Sequence, residues 1–150
     1  MLALFHENFA EILKILMEAY DTTNTTALQT AGTQGHIEVV NFLLESGSGL
    51  ATIARSNGKT ALHAAARNGH LSVVKTLLEK EASLTTRPDR QGQTALHMAV
   101  KGQSLEAVNE LMNADPSSIN MADTKGNTAL HVAARKCRAQ VGFPFTVLLV

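Results

Sequence analysis

Tryptophan is absent, tyrosine occurs once, and aromatic residues make up only 4% of the 150-residue chain. Small side chains between packed helices are therefore favoured over a single large core, and little aromatic surface is left on which nucleic-acid bases could stack. The single cysteine, Cys137, rules out an internal disulfide framework and fits a reducing compartment. Charge of neither sign prevails, since 13 basic residues face 13 acidic ones. The strongly basic balance of a typical nucleic-acid binder is thus missing. No segment reaches the roughly 20 apolar residues that a membrane span requires. The opening stretch, MLALFHENFAEILKIL, lacks a positive leader region and carries Glu7, Glu11 and Lys14 among its apolar residues. It predicts an amphipathic helix rather than a signal peptide.

What the chain has in quantity is repetition. SNGKTALHAAARNGH, RQGQTALHMAVKGQS and TKGNTALHVAARKCRAQ are variants of one phrase, and the TAL triplets begin at Thr26, Thr60, Thr94 and Thr128, a constant spacing of 34. A period held without drift indicates a stacked array, in which each unit has an apolar face it cannot bury alone. With 45% hydrophobic residues, many of them Ala and Leu, the chain suits close packing of slender helices in one domain.

Local signals divide each unit. Gly58, Gly92 and Gly126 lie two residues before Thr60, Thr94 and Thr128, where a positive φ closes a tight hairpin tip. In the first unit Asn24 holds that place and predicts the same turn. Thr60 predicts a helix N-cap whose hydroxyl accepts a backbone N–H, with His63 at N3; Gln29 stands at N3 in the first unit and would complete a capping box. Ala61, Leu62, Ala65 and Ala66 form the stripe of a short helix that Gly69 stops. Leu71, Val73, Val74, Leu77 and Leu78 then mark a second helix, matched by Ile37, Val39, Val40, Leu43 and Leu44 one period earlier.

Hairpin, short helix, Gly, longer helix and TALH together resemble ankyrin repeats, from Thr22 to about Arg138. The resemblance implies an all-α repeat solenoid: a partial N-terminal repeat, represented by an outer helix, over 1–20, repeats over 21–140, and an irregular apolar tail over 141–150. Two departures leave that fold intact. The usual period is about 33, and the extra residue here falls in the connector, as in EASLTTRPDRQG. Ala61, Ala95 and Ala129 replace the usual proline after Thr, at no loss of a hydrogen bond. More narrowly, ATIARSNGKTALHAAARNGHLSVVKTLLEKE and ADPSSINMADTKGNTALHVAARK resemble plant ankyrin-repeat proteins that carry a C-terminal membrane (PGG) domain and act in stress and defence signalling. The chain is then expected to be cytoplasmic and an incomplete member whose full-length relatives sit at the cytosolic side of a membrane. The ends add to that expectation. Glu18 to Thr26 spans 8 positions where Glu45 to Thr60 spans 15, and Pro144 interrupts CRAQVGFPFTVLLV where a second helix would belong. A truncated, alternatively spliced or mispredicted product is suspected.

Candidates for chemistry meet plain structural explanations. His63, His97 and His131 recur in phase, but helices about 8–10 Å apart cannot bring two of them within the ~2 Å of one zinc ion. They read as caps, and His36 and His70, each after a helix-stopping glycine, read as framework; His6 is solitary. Cys137 lies beside Lys136 and Arg138, which favours a thiolate, yet it replaces the glycine found at Gly35 and Gly69 and no His/Asp motif attends it. No GxxxxGK or GxGxxG stands between a strand and a helix. The sequence reads as a non-enzyme without metal or cofactor.

Recognition remains. In an ankyrin-like stack the hairpin tips and first helices line a concave face, and Arg55, Lys59, Arg67, Arg90, Lys101, Lys125, Arg135, Lys136 and Arg138 fall on those positions. Of the acids only Asp21, Asp89 and Asp123 do, each three residues before Asn24, Gly92 or Gly126, where Asp supports a turn. A protein-interaction scaffold whose basic groove takes an acidic segment is the expected function; a merely solvated face and nucleic-acid binding are the alternatives. Lys59, Arg67 and Lys101 are expected to lie clear of caps and buried stripes. No small-molecule substrate is expected.

Overall fold

The computed structural model describes residues 2–19, 21–47 and 49–136, with side chains described for 7–15, 27–47 and 49–136. Among them are eight α-helices and no strand: α1 (Leu2–Ala19), α2 (Asp21–Gln34), α3 (Ile37–Ser46), α4 (Ala61–Asn68), α5 (Leu71–Lys80), α6 (Ala95–Gly102), α7 (Leu105–Ala114) and α8 (Ala129–Arg135). Cys137, Arg138 and the tail over 141–150 lie outside the described residues.

Two rows of helices build the stack. α2, α4, α6 and α8 touch in sequence, and α3, α5 and α7 form a second row against them. The 34-residue spacing becomes a ladder of identical layers: Val40, Val74 and Val108, then Leu43, Leu77 and Leu111, are all fully buried where the rows meet. A leucine sealed this way contributes about 1.5–3 kcal/mol by leaving water. The first-helix row is lined with alanine instead; Ala61, Ala65, Ala66, Ala95, Ala99, Ala129 and Ala133 are buried. Small side chains let those backbones approach closely. At Gly102 the approach is absolute, because a Cβ there would lie 1.7 Å from the Arg67 carbonyl oxygen.

α4 ends at Gly69 in the left-handed conformation, as foreseen. α6 ends the same way on Gln103, at φ 63° and without glycine's freedom. Connectors not anticipated as structured wind into single 3-10 turns at Ala82–Thr86 and Pro116–Asn120. The Glu81 and Asp115 carboxylates cap them by accepting the Ser83 and Ser117 N–H groups.

The first unit corrects two expectations. α2 runs unbroken from Asp21 to Gln34, so the turn predicted at Asn24 and the support assigned to Asp21 are replaced by helix. Gln29 consequently sits in mid-helix and not at an N3 position. The cause is connector length: 8 positions from Glu18 to Thr26, against 15 in the next unit, favour continuing the helix over building a tip. α1, as predicted, is helical, and it leaves Phe9, Ile12 and Ile15 exposed.

Candidate protein-interaction face

Three turns project from the first-helix row, and we call them fingers. In each, a backbone pair closes the tip: Arg55 N–H donates to Lys59 O (2.9 Å), Asp89 N–H to Gln93 O (2.9 Å) and Asp123 N–H to Asn127 O (2.9 Å). Gly58, Gly92 and Gly126 take φ of 80°, 74° and 77°, the conformation for which glycine was predicted. Adjacent fingers are tied as well, Arg90 N–H donating to Asn57 O (3.1 Å) and Thr124 N–H to Gln91 O (2.9 Å).

The aspartates hold the turns from within. Asp89 Oδ1 accepts the Gln91 and Gln93 N–H groups (2.8 and 2.9 Å), and Asp123 Oδ1 accepts those of Lys125 and Asn127 (both 2.9 Å). Burial raises the Asp123 pKa, but the Asn127 and Lys125 backbone donors, with the Gln93 and Asn127 side chains, outweigh it and hold the carboxyl below its ordinary range. The first finger has Arg55 at this position, and Asn57 Oδ1 caps Lys59 N–H (3.0 Å) in its stead.

The histidines do more than the capping foreseen for them. Thr60 and His63, Thr94 and His97, and Thr128 and His131 form capping boxes. In the first, His63 Nδ1 accepts Thr60 N–H at 3.2 Å and lies 2.9 Å from the Thr60 hydroxyl, so that hydroxyl can donate to the ring. The opposite nitrogen, Nε2, faces the Gln93 carbonyl of the next unit at 3.0 Å. A carbonyl only accepts, so the proton sits on Nε2 and Nδ1 is the acceptor. His97 repeats the arrangement with Thr94 and the Asn127 carbonyl (2.9 Å). Gln29 keeps only the bridging half, its Nε2 donating to Lys59 O at 3.2 Å and more weakly to Ile53 O. His70 bridges too, with Nε2 at 2.8 Å from Thr33 O, whereas exposed His36 caps no helix through its side chain. Burial lowers the pKa of His63 and of His97, against the smaller raising effect of the Gln93 or Asn127 carbonyl. Both nitrogens of each ring are engaged, which leaves no lone pair for a metal.

The predicted basic residues are placed unequally. Arg55, Arg67, Arg90, Lys125, Arg135 and Lys136 are exposed, and Lys59 is half-buried. Lys101 makes a contact that the sequence did not foresee. It is half-buried, and its Nζ donates to Gln93 Oε1 at 2.7 Å. Burial pushes the Lys101 ammonium down, helped by nearby Lys59 and Arg67 and opposed by Asp89 and Asp123. Lys59, Arg67 and Lys101 therefore lie near one another, and Lys101 is also held by the Gln93 side chain. Between the first two fingers, Ser56, Asn57, Lys59, Asp89, Arg90 and Gln91 line a recess of about 390 Å³. Gln93 was missed by sequence reasoning. The only sign of it was a polar residue before each Thr, at Lys59, Gln93 and Asn127.

The family described as ankyrin repeats (3 copies) matches residues 1–88, and ankyrin repeats (many copies) matches residues 83–133. The chain is an ankyrin-repeat protein. No curated protein matches it. Ankyrin repeats generally mediate protein–protein interaction, and proteins built from them are typically non-enzymatic binding scaffolds. No helix among the described residues is long and apolar enough to cross a membrane.

Proposed function

We propose that this ankyrin array is a cytoplasmic scaffold that binds an acidic segment of a partner protein along its fingers and first helices. The observation carrying this is the convergence of Lys59 and Arg67 near Lys101, with exposed Arg90 and Arg55 on the flanking fingers. Only two acids lie on the same side, Asp89 and Asp123, each directed into its own turn, so basic residues outnumber acids on this face although the chain is neutral. Lys125 and Arg135 extend it toward the end of the array.

Each exposed pair contributes only about 0.2–1 kcal/mol, so the test needs several reversals at once. Lys59→Glu with Arg67→Glu and Arg90→Glu is suited to it; Lys101 is spared because Gln93 depends on it. A partner captured by the parent array should associate more slowly with the variant and lose affinity with salt, since long-range attraction acts mainly on the on-rate. An unchanged rate at low salt refutes the basic groove. A second reading rests on the two segments similar to plant membrane signalling proteins. There the array is the cytosolic part of such a protein with no autonomous role for the groove, and the variant binds as the parent does. Nucleic-acid binding is disfavoured, because no aromatic residue lies on a finger.

A further inference from the structure

Gln29 is 2% exposed, and its Oε1 is buried without a hydrogen-bond partner. An amide oxygen sealed in this way is destabilising unless a donor is near. The neighbouring units show what that donor would be. There the N3 side chain has two ends, one bridging to the next finger and one, Nδ1 of His63 or His97, accepting the N–H of its own Thr. Gln29 Nε2 makes the bridge, which leaves Oε1 with the other duty unfilled. The matching donor is Thr26 N–H, 34 positions before Thr60. That N–H lies inside α2, where it belongs to the helix's own i to i−4 ladder.

We propose that residues 21–26 carry a latent fourth finger: the segment exchanges between the first turns of α2 and a turn that starts the helix at Ala27. In the turned state Thr26 N–H is released from the ladder and satisfies Gln29 Oε1, as Thr60 N–H satisfies His63. Tyr20 to Thr26 supplies seven residues, enough for a tight loop though half the usual connector. Two costs are balanced against each other. The helical state leaves one buried acceptor unmet, and the turned state gives up the helical bonds of one or two turns. A partner seated on the neighbouring fingers would favour the turned state, because an added finger lengthens the surface it touches. Only this last step rests on the interaction reading; the exchange itself does not.

Ala27→Pro separates the two states. At the first helical position proline needs no N–H and is tolerated, whereas in the interior of α2 it removes a ladder bond and its ring clashes with the preceding turn. Ala61→Pro, at the first position of a helix that already follows a finger, is the control. The folding constant of Ala27→Pro, from urea melts, is expected within about tenfold of that control, with a smaller helical signal in circular dichroism. A greater loss overturns the proposal. Gln29→His gives an independent reading, since a ring at this site should capture Thr26 N–H and speed hydrogen exchange at the amides of 21–25. Unchanged exchange across that segment overturns it as well. Neither measurement involves a partner, so both stand apart from the charge-reversal test.

Discussion

The two sides of the stack are held by different physics. On the second-helix side Val40, Val74 and Val108 and Leu43, Leu77 and Leu111 repeat as dry layers, and what matters is volume. On the finger side the repeating contacts are polar and directional: Thr to His, His to the next carbonyl, Asp to its own turn. Apolar burial is strong but indifferent to a small slip, while a hydrogen bond fails within a fraction of an ångström. The second-helix side thus supplies most of the stability, and the finger side sets the register between neighbouring repeats.

The largest effect should come from the apolar side. Leu77→Ala is expected to destabilise by about 2–5 kcal/mol in urea melts, to the same extent at neutral and mildly acidic pH. His63→Ala should cost somewhat less, about 2–3 kcal/mol, by stripping Thr60 N–H and the Gln93 carbonyl of a shared partner. A loss equal in size for Gln29→Ala would break the comparison, because Gln29 makes only the bridge.

Acid should act on the finger side alone. The folded-state pKa of His63 and of His97 lies below the ordinary 6.5, so the unfolded chain binds protons more readily. Their contribution is complete above the unfolded value and fades as pH falls from about 6.5 through the lowered folded values. Thermal melts across that window should show a fall that His63→Gln with His97→Gln reduces. If the double variant falls as steeply, the rings are not the cause.

Smaller still is Thr60→Ala, about 1 kcal/mol for a lost cap. Thr26→Ala sharpens the point. Lying within α2, it should change the unfolding free energy from urea melts by about a few tenths of a kcal/mol at most, since alanine is the better helix former.

Much of this was legible in advance, and the reasons are local. The period, the turn glycines, the Thr–His caps and the two helices per unit all follow from residues that act on neighbours three or four positions away. What escaped notice acts across repeats. That His63 reaches the next finger, that Lys101 folds down onto Gln93, and that Gly102 meets the Arg67 carbonyl depend on how units sit on one another. The helix through residues 21–26 escaped for a related reason: a local motif implied a turn, and the short connector overrode it. Of the candidate site, the positions of the basic residues were readable, but not which of them the framework had already engaged.

The bridge that Gln29, His63 and His97 each send to the next finger has a sender and a receiver, and they place unequal demands on the sequence. The receiver is always main chain, the carbonyl of Lys59, Gln93 or Asn127, whose side chains take no part in the bridge. The sender must be a specific side chain. A duplicated unit spliced in behind an existing one supplies the receiving carbonyl whatever residue it carries there, while one spliced in front has to bring its own imidazole or amide. At the finger joint, a unit added at the C-terminus is therefore less constrained in sequence than one added at the N-terminus, while at the helix ends His70 sends the opposite way, back to Thr33 O.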